Sequence, residues 1–276
     1  EMKKIKIPVI LSYMVLILCV IVALFPYLWT FLAATHTNSQ VFNFAYSFRL
    51  GTNIVQNYKD LLEVLPIWNN LFSSIFIAAI FTILVLIIDA MAGYGFAQYQ
   101  FKGRDTLFMV CLAAMMIPVQ VLMVPLYIQF SGMNMIDSYW SVILSGLPGA
   151  FGVFLMRQSM LSYPRELIEA ARIDGAGESR IFFTIVLPNM KPALTSLGIL
   201  SFVNQWGNYY VPLVLLNSTK KYTVPVAMAL LAQPNFDVNY GALMLGACMA
   251  VLPIMIFFLI FQKNFIDGMM VGAVKG

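Results

Sequence analysis

The chain has 276 residues, 61% of them hydrophobic and only 10% charged, with a net charge of +4. Soluble domains carry roughly 25% charged residues, so this composition excludes an ordinary soluble fold and points to a membrane protein. No basic cluster interleaved with aromatics occurs, which excludes a nucleic-acid partner and leaves membrane lipid as the expected surroundings.

Lys3, Lys4 and Lys6 precede an apolar run from about Ile7 to Ala34. The run is too long for a signal-peptide core and no small-residue cleavage site follows, so a retained first membrane span is expected. His36, the single histidine, ends that run and reads as a satisfied polar residue at the interface rather than a ligand. Residues 35–68 are turn-rich and mixed, an extramembrane loop with one short helix expected around Val55–Leu65. Five further spans follow from the gaps between charges. Glu63 to Asp89 leaves 25 uncharged residues, Asp105 to Asp137 leaves 31, and Asp137 to Arg157 leaves 19. Lys191 to Lys220 leaves 28, and Asp237 to Lys263 leaves 25. One crossing takes about 20 helical residues, so each gap holds one span and none holds two. The expected fold is all-α and integral to the membrane, with six transmembrane helices. With both termini inside, twelve lysines and arginines fall on the cytoplasmic side against four (Arg49, Lys59, Lys220, Lys221) outside, as the positive-inside rule requires.

Several spans carry features that cost free energy in lipid. Ala90, Gly93 and Gly95 permit close helix approach in span 2. Met116 to Gln120, with Pro118 and then Pro125, break span 3, and Gly146, Pro148, Gly149 and Gly152 loosen span 4; such breaks favour positions facing a cavity or a partner helix. Asp89 is a carboxylate inside an apolar run. It either takes part in transport or simply reaches the interface to pair with Lys102 or Arg104. In span 5, Asn204, Gln205, Trp206, Asn208, Tyr209 and Tyr210 form a sugar-like cluster, because aromatic faces stack on pyranose rings and amides bond hydroxyls. Hydrogen bonding between helices at a subunit interface accounts for the same cluster equally well. Cys19, Cys111 and Cys248 sit in apolar runs with neither disulfide nor metal-site spacing. The eighteen methionines read as packing.

Between spans 4 and 5 lies a polar island, Glu166 to Pro192, with four of the twelve acidic residues (Glu166, Glu169, Asp174, Glu178) and Arg172, Arg180 and Lys191. Pro164 suits the first turn of a helix with Ser162 or Tyr163 near the cap. Leu167, Ile168, Ala170 and Ala171 give a short apolar face, Gly175 and Gly177 interrupt it, and a second short helix from Ile181 to Ile185 is expected to end at Pro188. A solvated connector would need far fewer residues.

Glu169-Ala170-Ala171, then Gly175, then Ile185-Val186-Leu187-Pro188 resembles the EAA motif of ABC importer permeases, and EAARIDGA resembles the carbohydrate-importer branch, whose members are MalG-like. IPVQVLMVPLY, SFVNQWGNYYVPLVLL and the closing GAVKG are similar to the same branch, although Gly207-Asn208-Tyr209 departs from its pattern. The resemblance implies a type I ABC importer permease (MetI-like) architecture, with residues 1–68 holding the first helix and outer loop, a permease core at 69–262, a cytoplasmic coupling helix within 163–188, and a cytoplasmic tail at 263–276. It implies that Glu169, Ala170, Ala171, Asp174, Gly175, Leu187 and Pro188 couple the chain to an ATPase, and that Lys275 and Gly276 also lie near it. The implied partners are a second, MalF-like permease, a cytoplasmic ABC ATPase dimer and an extracytoplasmic solute-binding protein, in a bacterial cell membrane. The cargo implied is a sugar, an oligosaccharide first; a glycerol phosphate importer of the same type and a secondary transporter are the alternatives. No G-x-x-x-x-G-K-[ST] occurs and one histidine cannot build a triad or an HExxH zinc site, so no catalytic residue, metal or cofactor is expected here, and ATP belongs to the partner ATPase.

Overall fold

The computed structural model describes residues 7–43, 48–147, 149–233 and 238–273, the last segment with side chains up to Gln262. Among these residues all regular structure is helical. The helices are α1 (Ile7–Ala34), α2 (Asn38–Val41), α3 (Ile54–Val64), α4 (Ile67–Gln98), α5 (Arg104–Ala114), α6 (Met123–Gly132), α7 (Tyr139–Leu144) and α8 (Ala150–Leu161). They continue as α9 (Arg165–Ile173), α10 (Glu178–Arg180), α11 (Leu187–Asn189), α12 (Lys191–Trp206), α13 (Tyr210–Leu215), α14 (Val224–Leu231) and α15 (Tyr240–Ala273). A 3₁₀ turn at Val119–Leu122 leads into α6, and a π-helical stretch, Ile181–Val186, joins α10 to α11. Lys3, Lys4, Lys6, Pro148, Asp237, Lys275 and Gly276 lie outside the described residues.

The chain divides into two compact units, Glu1–Ile67 with Ala227–Leu252, and Trp68–Val226 with Pro253–Gly276. In the first, every residue of α1 from Leu11 to Leu28 is exposed, as an apolar helix facing lipid should be. Its C-terminus is closed by polar side chains. A helix end leaves carbonyls without partners, and the buried Asn57 of α3 supplies its amide to Ala34 O at 2.8 Å and His36 O at 2.9 Å. Thr35 Oγ1 accepts from Gly51 N at 2.8 Å, and Asn53 Nδ2 donates to Asn57 Oδ1 at 2.9 Å. His36 is buried within this knot, and its Nδ1 donates to Leu32 O at 2.8 Å. Gly241 fits against the knot because a Cβ there would stand 2.5 Å from Asn57 Nδ2 and from His36 O.

The second unit is built on α4, whose 32 residues extend about 48 Å. One cluster gathers its C-terminal half with α8, α9, the π-helix and the start of α12 (Tyr94, Met156, Ile168, Ile181, Leu197). Another gathers Ile77 of α4 with Phe130, Ile143, Val211 and Leu215. Polar links close the end near Asn70. Its Nδ2 donates to Thr219 O and Tyr222 O at 2.8 and 2.9 Å, Ser73 Oγ meets the Tyr139 hydroxyl at 2.8 Å, and Ser74 Oγ accepts from Val224 N.

Among the described residues, three helices are long and apolar enough to reach across a bilayer: Leu11–Ala34, Ile67–Gln98 and Tyr240–Gln262. Two bent pairs, α5 with the segment through α6 (91°) and the segment from α10 to α11 with α12 (82°), bring the number to five at most. The stretch expected as a loosened span 4 forms two short helices, α7 and α8. In span 3 the break falls at Met115–Pro118, whereas Pro125 sits in the first turn of α6, where its missing N–H leaves nothing unbonded. Gly93 does permit close approach, but a Cβ on Gly95 would meet nothing within 4 Å, so Gly95 plays no part in that seam.

Replacing Asn57 by leucine leaves two buried carbonyls without donors and should cost about 1–3 kcal/mol. The check is the thermal unfolding midpoint in detergent, which falls if the amide is what caps α1 and stays put if it is not.

Candidate functional site

The polar island folds as a surface helix and a turn. Pro164 is itself the N-cap residue of α9, with ψ 122°, while Ser162 caps the C-terminus of α8. The expected cap at Ser162 or Tyr163 is therefore displaced by one or two residues, and three residues separate α8 from α9. Ile168 and Ala171 face inward and are buried. Leu167, Glu169, Ala170 and Ile173 face outward, Ile173 with 86% of its surface exposed. Ala171 thus lets α9 lie close to its own chain, and the outward small residue is Ala170 alone. The Glu169 side chain makes no hydrogen bond or ion pair among the described residues.

Gly175 explains its place in the motif. α9 ends at Asp174, Gly175 takes φ +80°, Gly175 N donates to Arg172 O and Ala176 N donates to Ala171 O, both at 3.0 Å. This is a Schellman turn, which requires the left-handed region at that residue. No atom lies within 4 Å of a Cβ placed on Gly175, so only the backbone conformation demands glycine.

Beyond the turn, Glu178 accepts from Arg172 Nε at 2.6 Å and Nη2 at 3.2 Å, and also from the Tyr99 hydroxyl. Tyr99 follows the last residue of α4, 79 positions away in sequence. The Arg172 guanidinium, then the Tyr99 hydroxyl, hold the Glu178 carboxyl below the usual glutamate range, and Glu178 holds Arg172 more firmly protonated. The helix from Glu178 does not stop at Pro188. It passes through the π-helical stretch into α11, with Leu187 against the core and Pro188 exposed, and the chain bends at Met190. A π-turn leaves carbonyls off the regular ladder. Asn189 Nδ2 reaches Ile185 O at 2.6 Å, and Thr184 Oγ1 reaches Arg180 O at 2.5 Å.

Asp89 does not pair with Lys102 or Arg104; Arg104 binds Asp105 at 3.0 Å. The Asp89 carboxylate is fully buried against the start of α8, where Oδ1 accepts from Gly149 N at 3.1 Å and Oδ2 has no partner. A Cβ on Gly152 would stand 2.8 Å from Asp89 Cγ. A carboxylate beside a helix N-terminus is electrostatically favoured. Nearby, Gly93 lets α4 touch the α8 backbone, since a Cβ there would lie 2.6 Å from Met156 Cβ and 2.8 Å from Arg157 N.

The sugar-like cluster straddles the break between α12 and α13, and it divides. Trp206 is buried and stacks on Phe202 (6.1 Å between centroids), which stacks on Phe257 (4.0 Å). Gln205 is buried with Nε2 unpartnered, and its Oε1 accepts from Asn208 Nδ2 at 3.4 Å. Asn204 and Tyr210 are exposed, and Tyr209 meets Tyr210 edge-on at 5.5 Å. Trp206 is therefore a packing residue, while Asn204, Asn208, Tyr209 and Tyr210 form a polar surface at a helix break, with Gln205 buried beneath it. Sequence reasoning passed over a further cluster: Asp137 accepts from Asn217 N, Ser218 N and Ser218 Oγ and from Lys221 Nζ, tying two loops together. Tyr99 was passed over as well, because nothing in local spacing joins it to Glu178.

Known proteins point the same way. Residues 90–271 match the family described as binding-protein-dependent transport system inner membrane component. The arabinooligosaccharides transport system permease protein AraQ of Bacillus subtilis is 43% identical over 74% of this chain and 73% of its own length. The lactose transport system permease protein LacG of Rhizobium radiobacter is 32% identical over 98% and 97%. A crystal structure of a bacterial ABC transporter involved in import of the acidic polysaccharide alginate has a chain of the same fold, with TM-score 0.81, 21% identity and 93% and 95% coverage.

Two measurements test this geometry. Gly152→Val drives its side chain into Asp89 and should cost about 1–3 kcal/mol in thermal unfolding; an unshifted midpoint means the seam is looser than described. The depressed Glu178 contributes stability above the ordinary glutamate pKa and loses it as pH falls through its lowered value. Hydrogen-exchange protection across residues 172–181, corrected for the intrinsic pH dependence of exchange, should hold from pH 7 to pH 5 and fall only below the usual glutamate range; protection already lost near pH 5 contradicts the pairing.

Proposed function

We propose, from the premise that this chain belongs to the family of binding-protein-dependent transport system inner membrane components, that it is one of two permease subunits of an ATP-driven ABC importer whose cargo is a sugar, an oligosaccharide in particular. It is a transport subunit and not an enzyme. A carrier working without a binding protein is set aside by the family itself. Sugar cargo is supported by the relatives named for arabinooligosaccharides and lactose. The basic side chain that a phosphate cargo would call on within α8, Arg157, is already engaged, 3.8 Å from Asp105 and 4.1 Å over the Phe108 ring.

The observation that carries the reading is α9, an amphipathic helix with a fixed glycine turn whose outer face, Leu167, Glu169, Ala170 and Ile173, is left uncovered by the described residues. We assign that face to the groove of a cytoplasmic ATPase, with Glu169 meeting a basic residue there. Closure of the ATPase dimer on ATP pushes α9, and α8, three residues away, carries the push to the seam with α4. The two permease states bind the closed ATPase differently, and that difference supplies the free energy of the switch. Asn204, Gln205, Asn208, Tyr209 and Tyr210 are the pathway residues of this reading, at a helix break where polar side chains and loosened backbone need a wet cavity. Both termini and α9 lie in the bacterial cytoplasm, with six crossings of which several are broken. A MalF-like second permease and an extracytoplasmic solute-binding protein complete the importer.

Glu169→Lys and Gly175→Val are each expected to lower uptake in cells about tenfold or more while leaving the subunit inserted in the membrane. Uptake assay with membrane fractionation decides it, and undiminished transport by both variants removes the coupling assignment.

A further inference from the structure

The docking face of α9 needs a rigid connection to the membrane helices if a push on it is to do anything. Apolar packing through Ile168, Ala171 and Ile181 resists separation but is non-directional and lets surfaces slide. Two glycines, Gly175 and Gly177, lie between α9 and α10, so backbone stiffness does not supply the connection either. Hydrogen bonds are directional, and three side chains from separate segments meet here. Arg172 comes from the last turn of α9, Glu178 from the first residue of α10, and Tyr99 from the residue after α4. Arg172 grips both carboxylate oxygens of Glu178, and the Tyr99 hydroxyl donates to Oε2. The guanidinium also lies 5.9 Å from the Tyr99 ring centroid. The aromatic base is held in turn, Tyr94 meeting Tyr99 edge-on at 5.7 Å and Phe182 at 5.2 Å.

We propose that Tyr99, Arg172 and Glu178 form a latch that makes the docking helix and α4 move as one body during transport. None of the three touches cargo or nucleotide; they are positioning residues, and the assignment rests on reading α9 as the ATPase-docking helix. Through the latch a displacement of α9 reaches the end of α4 directly, in parallel with the route through α8. Tyr99 is the member that matters most, because Arg172 and Glu178 alone would only brace the loop against itself.

The test uses the complete importer, both permeases with the ATPase subunits, reconstituted in liposomes with the loaded binding protein. It reads ATP hydrolysed per solute imported and the stimulation of hydrolysis by the loaded binding protein. Tyr99→Phe keeps the ring and removes the donor. It should lower stimulation about three- to tenfold and raise ATP per solute, with the ATPase subunits still co-purifying. Glu178→Gln weakens the Tyr99 contact and the Arg172 pairing together, so it should act at least as strongly, and the double variant should be no worse than Glu178→Gln alone. Glu178→Asp, which keeps the charge and draws it back from Tyr99, replaces Glu178→Gln in the cycle if the latter fails to assemble. Wild-type stimulation in Tyr99→Phe, or additive losses in the double variant, overturns the latch. Loss of the ATPase subunits from Glu169→Lys alongside a silent Tyr99→Phe overturns the latch alone, whereas full retention and uptake in Glu169→Lys overturns the docking reading beneath it.

Discussion

Close contact between α4 and the backbone of α8 is the constraint on which the second unit depends. Within a bilayer, apolar side chains gain little by leaving lipid for one another, so helices hold together by packing and by polar contacts. Gly93 and Gly152 remove the side chains that would keep these two helices apart, and Met156 and Arg157 come down onto the α4 backbone at Gly93. Gln98 Nε2 then bonds Met160 O at 2.8 Å, so the seam is stitched over more than two turns. Since α8 runs into α9 after three residues, the seam with α4 lies a short stretch of chain from the surface helix.

Asp89 belongs to the same seam. A carboxylate at membrane depth is costly unless it faces protein or polar groups. Here it finds the N-terminal end of α8, one backbone donor and a space that exists only because residue 152 lacks a Cβ. The arrangement is self-consistent: the glycine makes room for the acid, and the acid occupies what would otherwise be a void. It also fixes α8 lengthwise, which apolar packing against α4 would leave free to slip.

How much of this was legible beforehand differed from residue to residue. Composition and charge gaps gave the helical membrane class, because hydrocarbon imposes a strong and simple demand on length and polarity. The motif around Glu169 and Gly175 was legible as spacing, and the structure supplies its reason in a left-handed turn. The interruptions at Leu144–Ala150 and Gly207–Tyr210 were visible as glycines and prolines, but whether a helix bends, breaks or merely kinks at them depends on which neighbours can bond the freed backbone. Pro188 misplaced the end by one residue: the run from Glu178 continues to Asn189 and the chain bends at Met190. Tyr99 could not be found at all, since its role arises from a contact across the fold, and Ala171 looked outward only because alanine pattern alone does not say which side of a short helix the core lies on.

The π-helical stretch at Ile181–Val186 carries a consequence for the length of this region. Such a turn holds one residue more than an α-turn, so its presence offsets everything downstream by one position, about 100° of rotation. Trimming a single residue there would let the segment relax to an ordinary α-helix, swinging Glu178 away from its two partners or else rotating Leu187 out of the core. The count of residues from Gly175 to Pro188 therefore behaves as a ruler, whose number of links sets where Glu178 and Leu187 fall.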